Sequence, residues 1–376
     1  NGGLGVLAVA MYDEMPYECG RMISQSIGAI PKSLMQYYPD GGFPEGPSYW
    51  AYMLENLCNF LSALNDTFGR DYGLGDFPGL ENTGYFPIFL QGPTQDLRFK
   101  YGDDRSKYTS SVSMFYLAKR YDSPAFAYYQ IDIAQSINNY EVLAPYWFTE
   151  DLLSNTGNLY DGLDLDKYFD GQNPVGTMRS AWGDPNGMFV GFKGGYPQIS
   201  HADMDAGTFT LAALGEEWAV EVPGGDYGRL GYPSLFRMGR YMYYAASPQG
   251  HNTLVFNPGV TYPAMEYGQS LTALPKITQM YSGDDSAYSV IDLSQSYRKY
   301  ASSVKRGVAL IRNRQEFLVQ DEIRSGSTNT IYWFMHTKKE VEVDGDTAIL
   351  TEGNKRLYCK ILSPVGAEFS LMEAKA

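Results

Sequence analysis

The sequence predicts an α+β protein of more than one domain, a helical part followed by an antiparallel β part. Three observations point there. Apolar residues recur at helical spacing through roughly the first 150 positions, and beyond them the pattern turns to short alternating runs cut by Gly, Pro and Asp-Gly turns. Across 376 residues, 44% hydrophobic and 19% charged content fits a well-packed chain of about two domains.

Helices are expected first over Leu4–Met11, from Leu4, Leu7, Ala8 and Met11, and then along Met22–Met35. A Pro-Asp-Gly-Gly turn at Pro39–Gly42 precedes Tyr49–Leu64, whose apolar positions form a wide buried face. Further helices are predicted near Gly79–Leu90, Tyr108–Arg120 and Ser123–Ser136, as hairpins packed side by side. The Asp/Asn/Gly-rich stretch Ser154–Gly176 reads as a connection, giving expected domains at 1–155 and 172–376. Strands are predicted at Met188–Lys193, Thr208–Leu214, Trp218–Val222, Thr253–Asn257, Val304–Arg312, Glu316–Ile323, Thr330–Met335 and Thr347–Leu350, as a sandwich or barrel.

Composition excludes several functions. With 43 acidic and 29 basic residues the formal charge is −14, and nucleic acid is not an expected partner. No apolar run approaches the ~18 residues of a membrane helix. Cys19, Cys58 and Cys359 are too few and scattered for a disulfide framework or a Cys-based zinc site, and read as buried thiols. The chain opens on Asn1 without an initiator Met, so a trimmed chain without its signal peptide is expected. An EF-hand loop starting at Asp164 fails because Phe169 and Val175 stand where Gly and Glu are needed.

Three constellations carry candidate chemistry. The loop Asp40–Trp50 delivers Glu45, Tyr49 and Trp50 at the start of a helix; it is either a site loop or a structural hairpin turn. In His201-Ala-Asp203-Met-Asp205, strand alternation would place 201, 203 and 205 on one face, with Glu221 and His251 to join them. That set suits a divalent cation or an ordinary hydrogen-bonded cluster. Arg98, Lys100, Arg105 and Lys107 make a local positive patch, to receive an anionic group or to lie solvated. His336, in an apolar strand, reads as a core histidine.

Together, Asp40–Trp50 (DGGFPEGPSYW), Phe99–Asp104 (FKYGDD), His201–Phe209 (HADMDAGTF) and Gly250–Asn257 (GHNTLVFN) resemble the heparinase II/III-like polysaccharide lyases, a group that includes oligoalginate lyases. The resemblance implies a partial (α/α) toroid followed by an antiparallel β-sandwich. It implies β-elimination at a uronic acid of a heparin/heparan-type glycosaminoglycan or alginate, leaving a 4,5-unsaturated uronate end, by a bacterial periplasmic or secreted enzyme. Tyr49 and His201 match the family's catalytic pair. An ordinary phenol, with a pKa near ~10, serves more readily as acid than as base. The cleft would lie between the domains, with Glu45, Trp50, Arg98, Lys100, Tyr101, Arg105 and Arg240 expected to face an anionic polysaccharide or oligosaccharide; Arg237 adds another cation. One structural divalent metal, zinc or a harder cation, would sit on Asp203, Glu221 and His251, Asp203 standing where the family usually has a His. The family's carboxylate-neutralising Asn or His would fall before Asn1. The rivals are a hydrolase using Glu45 and Asp103 and a non-catalytic carbohydrate-binding protein.

Overall fold

The structure is a computed structural model that describes residues 1–137, 144–153, 159–222, 224, 227–228, 239–258 and 268–374. These residues form two compact units. The first comprises Asn1–Gln91, Asp104–Asp164 and Phe169–Pro174; the second comprises Gly92–Asp103, Leu165–Tyr168 and Val175–Ala376. The sequence reading drew a single connection near 155–172, whereas the chain passes between units five times. Gly92–Asp103, expected in the helical domain, belongs to the β unit.

The helical unit contains α1 (Gly2–Ala10), α2 (Pro16–Leu34), α3 (Pro47–Phe68), α4 (Tyr85–Leu90), α5 (Ser113–Arg120), α6 (Pro124–Ile137) and α7 (Ala144–Trp147). α1 packs on α2 and α3, and α5 on α6. The face α1 turns to α3 is set by glycine rather than by leucine. A Cβ at Gly5 would lie 2.4 Å from the Phe60 ring, and one at Gly2 would lie 2.6 Å from the Asn56 carbonyl oxygen. The close approach that glycine permits leaves Leu4 and Leu7 exposed. α3 begins with Pro47, where a missing N–H costs nothing, and ends at Gly69 in the left-handed conformation, φ 65°. Helix is shorter than expected at two places: 79–90 holds a 3₁₀ turn at Leu80–Asn82 before α4, and the 108–120 prediction yields helix only from Ser113. There Ser111 N–H donates to Gln130 Oε1 at 2.9 Å instead of entering a helical ladder.

The β unit is built from antiparallel sheets. β1 (Lys167–Phe169), β2 (Val175–Arg179), β3 (Phe189–Lys193), β4 (Phe209–Ala213) and β5 (Glu216–Ala219) follow one another in one sheet. β7 (Lys276–Ser282), β8 (Ala287–Asp292), β9 (Ser303–Ile311) and β10 (Glu316–Arg324) form a second meander. β6 (Leu254–Phe256) pairs with β11 (Ile331–Trp333), while β12 (Glu340–Asp344), β13 (Thr347–Glu352) and β14 (Lys355–Lys360) make a third meander. Met178, Val190, Phe192 and Leu211 from the first sheet share one apolar core with Ile291, Val304, Val308 and Leu310 from the second, the layering of a sandwich. Every second residue of β9 from Val304 to Leu310 is buried. One of these is Arg306, which donates to Asp321 through two nitrogens at 2.8 Å and to the carbonyls of Gly207 and Asn252 at 2.7 and 2.8 Å. All three cysteines are free. Among the described residues no helix is long and apolar enough to cross a membrane.

Candidate active site

Within the helical unit, the Asp40–Trp50 loop is fixed from several sides. Gly41 (φ 93°) leaves no room for a side chain, since a Cβ would lie 2.6 Å from the Thr83 backbone. Thr83 Oγ1–H donates to the Gly41 carbonyl at 2.8 Å and accepts the Trp50 indole N–H at 2.8 Å. Asn173 donates to the Pro44 carbonyl at 2.7 Å, and the Asp170 N–H donates to Asp40 Oδ2 at 3.0 Å. Half-buried Glu45 and Tyr49 are thereby held, Tyr49 in the first turn of α3. Next to it, the Ser48 hydroxyl hydrogen-bonds Asp104 and meets Ser106 at 2.8 Å.

Trp50 does not face a ligand. It is fully buried, its indole bonded to Thr83 and its ring tilted against Phe86 at 6.4 Å. The helix turns 100° per residue, so Tyr49 and Trp50 point differently.

In the β unit, residues 201–208 form a loop and turns rather than a strand. His201 is half-buried with φ 62°, and its carbonyl accepts the Asp103 N–H at 3.1 Å. Asp103 Oδ1 accepts Arg240 Nη2–H at 2.7 Å and Oδ2 accepts the Tyr227 hydroxyl at 2.7 Å. The same Arg240 nitrogen donates to Asp203 Oδ1 at 2.9 Å. Burial pushes the Asp203 carboxyl up to about 6, against the pull of Arg240.

The loop also sends Asp205 inward, where both its oxygens accept from the Lys193 ammonium at 2.7 and 2.8 Å, with both side chains fully buried. Lys193 lies 4.7 Å from the centre of the Tyr101 ring, and that ring tilts on Phe99 at 5.5 Å. Tyr101, expected to face the polysaccharide, is a buried platform for Lys193.

His251 Nδ1 meets Glu221 Oε2 at 2.6 Å, and the other Glu221 oxygen takes the Thr208 hydroxyl. Burial pulls the imidazole pKa down, yet the Glu221 carboxylate, with Asp205 and Asp203, carries it up to about 9. Asn252 beside it donates to the Phe209 and Val220 carbonyls at 2.7 and 2.9 Å and accepts the His336 N–H at 2.6 Å. Buried His336 pairs with the Tyr244 hydroxyl at 2.8 Å, and burial together with the His251 charge holds its pKa down at about 4.

The cation set therefore needs correcting. Among the described residues Asp205, Glu221 and His251 have potential ligand atoms within 4.8 Å of one another, a group that Asp203 does not join, and Asp205 would enter it while also holding Lys193. The loop backbone, not strand alternation, decides which carboxylate goes where. Asp203 Oδ2 and His251 Nε2 are buried without a hydrogen-bond partner among the described residues.

Arg98 is buried; Lys100 is half-buried in the β unit, where its charge lowers the pKa of Glu217 against the larger raising effect of burial. Arg105 is exposed in the helical unit, and Arg237 lies outside the described residues. Sequence reasoning missed Lys193, Thr208 and Asn252 as parts of the cluster. The signal for Lys193 was a lone cation ending an apolar strand of an acidic chain, with two aspartates 10 and 12 positions on.

A sequence search of curated proteins found no match. Among solved structures, the chain is similar to a mutant of heparan sulfate lyase HepC from Pedobacter heparinus, at 18% identity and TM-score 0.66, over 93% of this chain and 49% of that one. A methylated-lysine heparinase III gene product matches at 16% identity and TM-score 0.66, over 93% and 48%. A structure of heparinase III matches at 15% and 0.61, over 93% and 51%. The chain thus spans about half the length of these proteins, and at such identities the likeness establishes the fold. The family model described as heparinase II/III-like, C-terminal, matches residues 177–368, just over half of the chain. That span holds most of the β sheets, His201 and the Asp205, Glu221 and His251 group, and the chain belongs to the heparinase II/III-like family.

Proposed function

We propose that this chain is part of a polysaccharide lyase that cleaves uronate-containing chains by β-elimination, on a heparin/heparan-type glycosaminoglycan or on alginate. The observation that carries the reading is His201, a half-exposed imidazole in a strained left-handed backbone, built on a buried ionic framework in the segment the family model covers. In the reaction, His201 takes the C5 proton of the uronate. The electron pair forms the C4–C5 double bond, the C4–O bond breaks, and the Tyr49 hydroxyl gives its proton to the departing oxygen. Glu45, Lys100 and Arg105 remain the candidates for holding the anionic chain. The site of action would be the bacterial periplasm or exterior.

The hydrolase alternative is weakened because Asp103, one of its two carboxylates, is buried with both oxygens engaged by Arg240 and Tyr227. We also propose one structural divalent cation. The residues fit it in donor chemistry: Asp205, Glu221 and His251 offer ligand atoms within 4.8 Å of one another, and His251 Nε2 is buried without a hydrogen-bond partner among the described residues. Asp205, Glu221 and His251 would hold it, with more oxygen than nitrogen favouring a hard ion. When bound, it supplies positive charge that braces the cluster.

The test is a panel of heparin, heparan, hyaluronan, chondroitin and alginate with the full-length protein, read by ultraviolet absorbance of new unsaturated ends. Tyr49→Phe and His201→Ala should each lower turnover by at least ~100-fold while remaining folded. Near-normal activity of either variant sinks the assignment. Elemental analysis of the same preparation should find about one divalent ion per chain; none removes the metal reading.

A further inference from the structure

His201 occupies a backbone region that residues with a side chain seldom adopt, and such a conformation persists only where its surroundings over-determine it. Here the determinants have names. The His201 carbonyl oxygen accepts the Asp103 N–H at 3.1 Å and lies 2.4 Å from where a Cβ on Gly102 would stand. Asp103 is fixed in turn by Arg240 and Tyr227, each at 2.7 Å. Arg240 Nη2 reaches Asp203, two residues beyond His201, at 2.9 Å. A single buried guanidinium nitrogen therefore secures both the turn that receives the His201 carbonyl and the chain leaving His201.

We propose that Arg240 is a positioning residue, which sets the direction of the His201 imidazole through Asp103 and Asp203 instead of binding the anionic chain. The proposal rests on His201 as the reacting group. Two carboxylates already neutralise the guanidinium, and its side chain is only 7% exposed, so it offers little field to a sugar carboxylate. The framework acts by geometry, and small misplacement of a reacting group is costly in rate.

The experiment uses the full-length protein, comparing wild type with Arg240→Gln, Arg240→Lys, Gly102→Ala and His201→Ala. Steady-state elimination is followed on the polymer of the panel that turns over fastest, and the histidine imidazoles are titrated by NMR. Arg240→Gln should lower kcat by ~100-fold and leave KM within about twofold. Arg240→Lys should recover part of the loss, because one nitrogen makes both contacts. Gly102→Ala displaces the His201 carbonyl with Arg240 intact and should lower kcat similarly, which keeps the idea testable if Arg240→Gln does not fold. The His201 resonance, identified by its loss in His201→Ala, should change its titration midpoint in Arg240→Gln or Gly102→Ala. A raised KM with unchanged kcat in Arg240→Gln, or an unmoved His201 resonance in the folded variants, overturns the proposal. Full activity of His201→Ala would instead overturn the catalytic reading, leaving the resonance to decide whether Arg240 positions His201.

Discussion

A tryptophan next to a candidate catalytic tyrosine invites a sugar-stacking role, but Trp50 is a strut between α3 and the Thr83 turn. Trp50→Phe should therefore lower stability by about 2 kcal/mol, from the lost indole hydrogen bond and the smaller ring, and leave KM for the polymer unchanged. Urea denaturation and steady-state kinetics check the two halves separately. The candidacy of Tyr49, His201, Glu221 and His251 was legible because few residue types offer acid–base or ligand chemistry. Partnership was not. Asp203 and Asp205 look equivalent in sequence, and only the left-handed turns at His201 and Gly207 send one to Arg240 and the other to Lys193.

Elements with one buried face were the readable ones. Residues 304–312 announce β9 through strict alternation, and 49–64 announce α3 through its broad apolar face. β7 and β14 escape a sequence reading because most of their residues are exposed or half-exposed and polar, and β12, though it alternates Glu and Val, is only five residues long and largely exposed. β8 alternates in burial but not in residue type, since Ser289 lies inward while Val290 is half-exposed. The start of α3 was placed two residues late because Gly46 and Pro47 read as loop, although Pro47 is the first helical residue. Gly46 itself has φ 95° and ψ 170°, a region essentially reserved for glycine. Gly46→Ala should lower stability by about 1–3 kcal/mol, measurable as a reduced denaturation midpoint, and should reduce turnover by shifting Tyr49.

At the scale of the molecule, the two buried histidines pull stability in opposite directions with pH. His251, raised from 6.5 to about 9, contributes stability that is full below about 6.5 and lost as pH rises through 9. His336, lowered to about 4, contributes stability above 6.5 that is lost as pH falls through 4. Asp203, raised from 3.8 to about 6, makes the folded state favour a proton between those values and so offsets part of the His336 effect. In chelator-treated protein the urea midpoint should fall from pH 6.5 towards 9, and His251→Gln should flatten that limb. An undiminished slope in the variant would refute the assignment.

The five passages of the chain between units have a consequence for inheritance. The FKYGDD run splits between Asp103 and Asp104, one residue serving each unit, and Gly92–Asp103 completes the β unit from inside the helical stretch of sequence. No single cut yields two whole modules. Recombination or gene truncation near residue 155 would leave the sandwich without Phe99, Gly102 and Asp103, so the two units must be transmitted, and engineered, as one cassette.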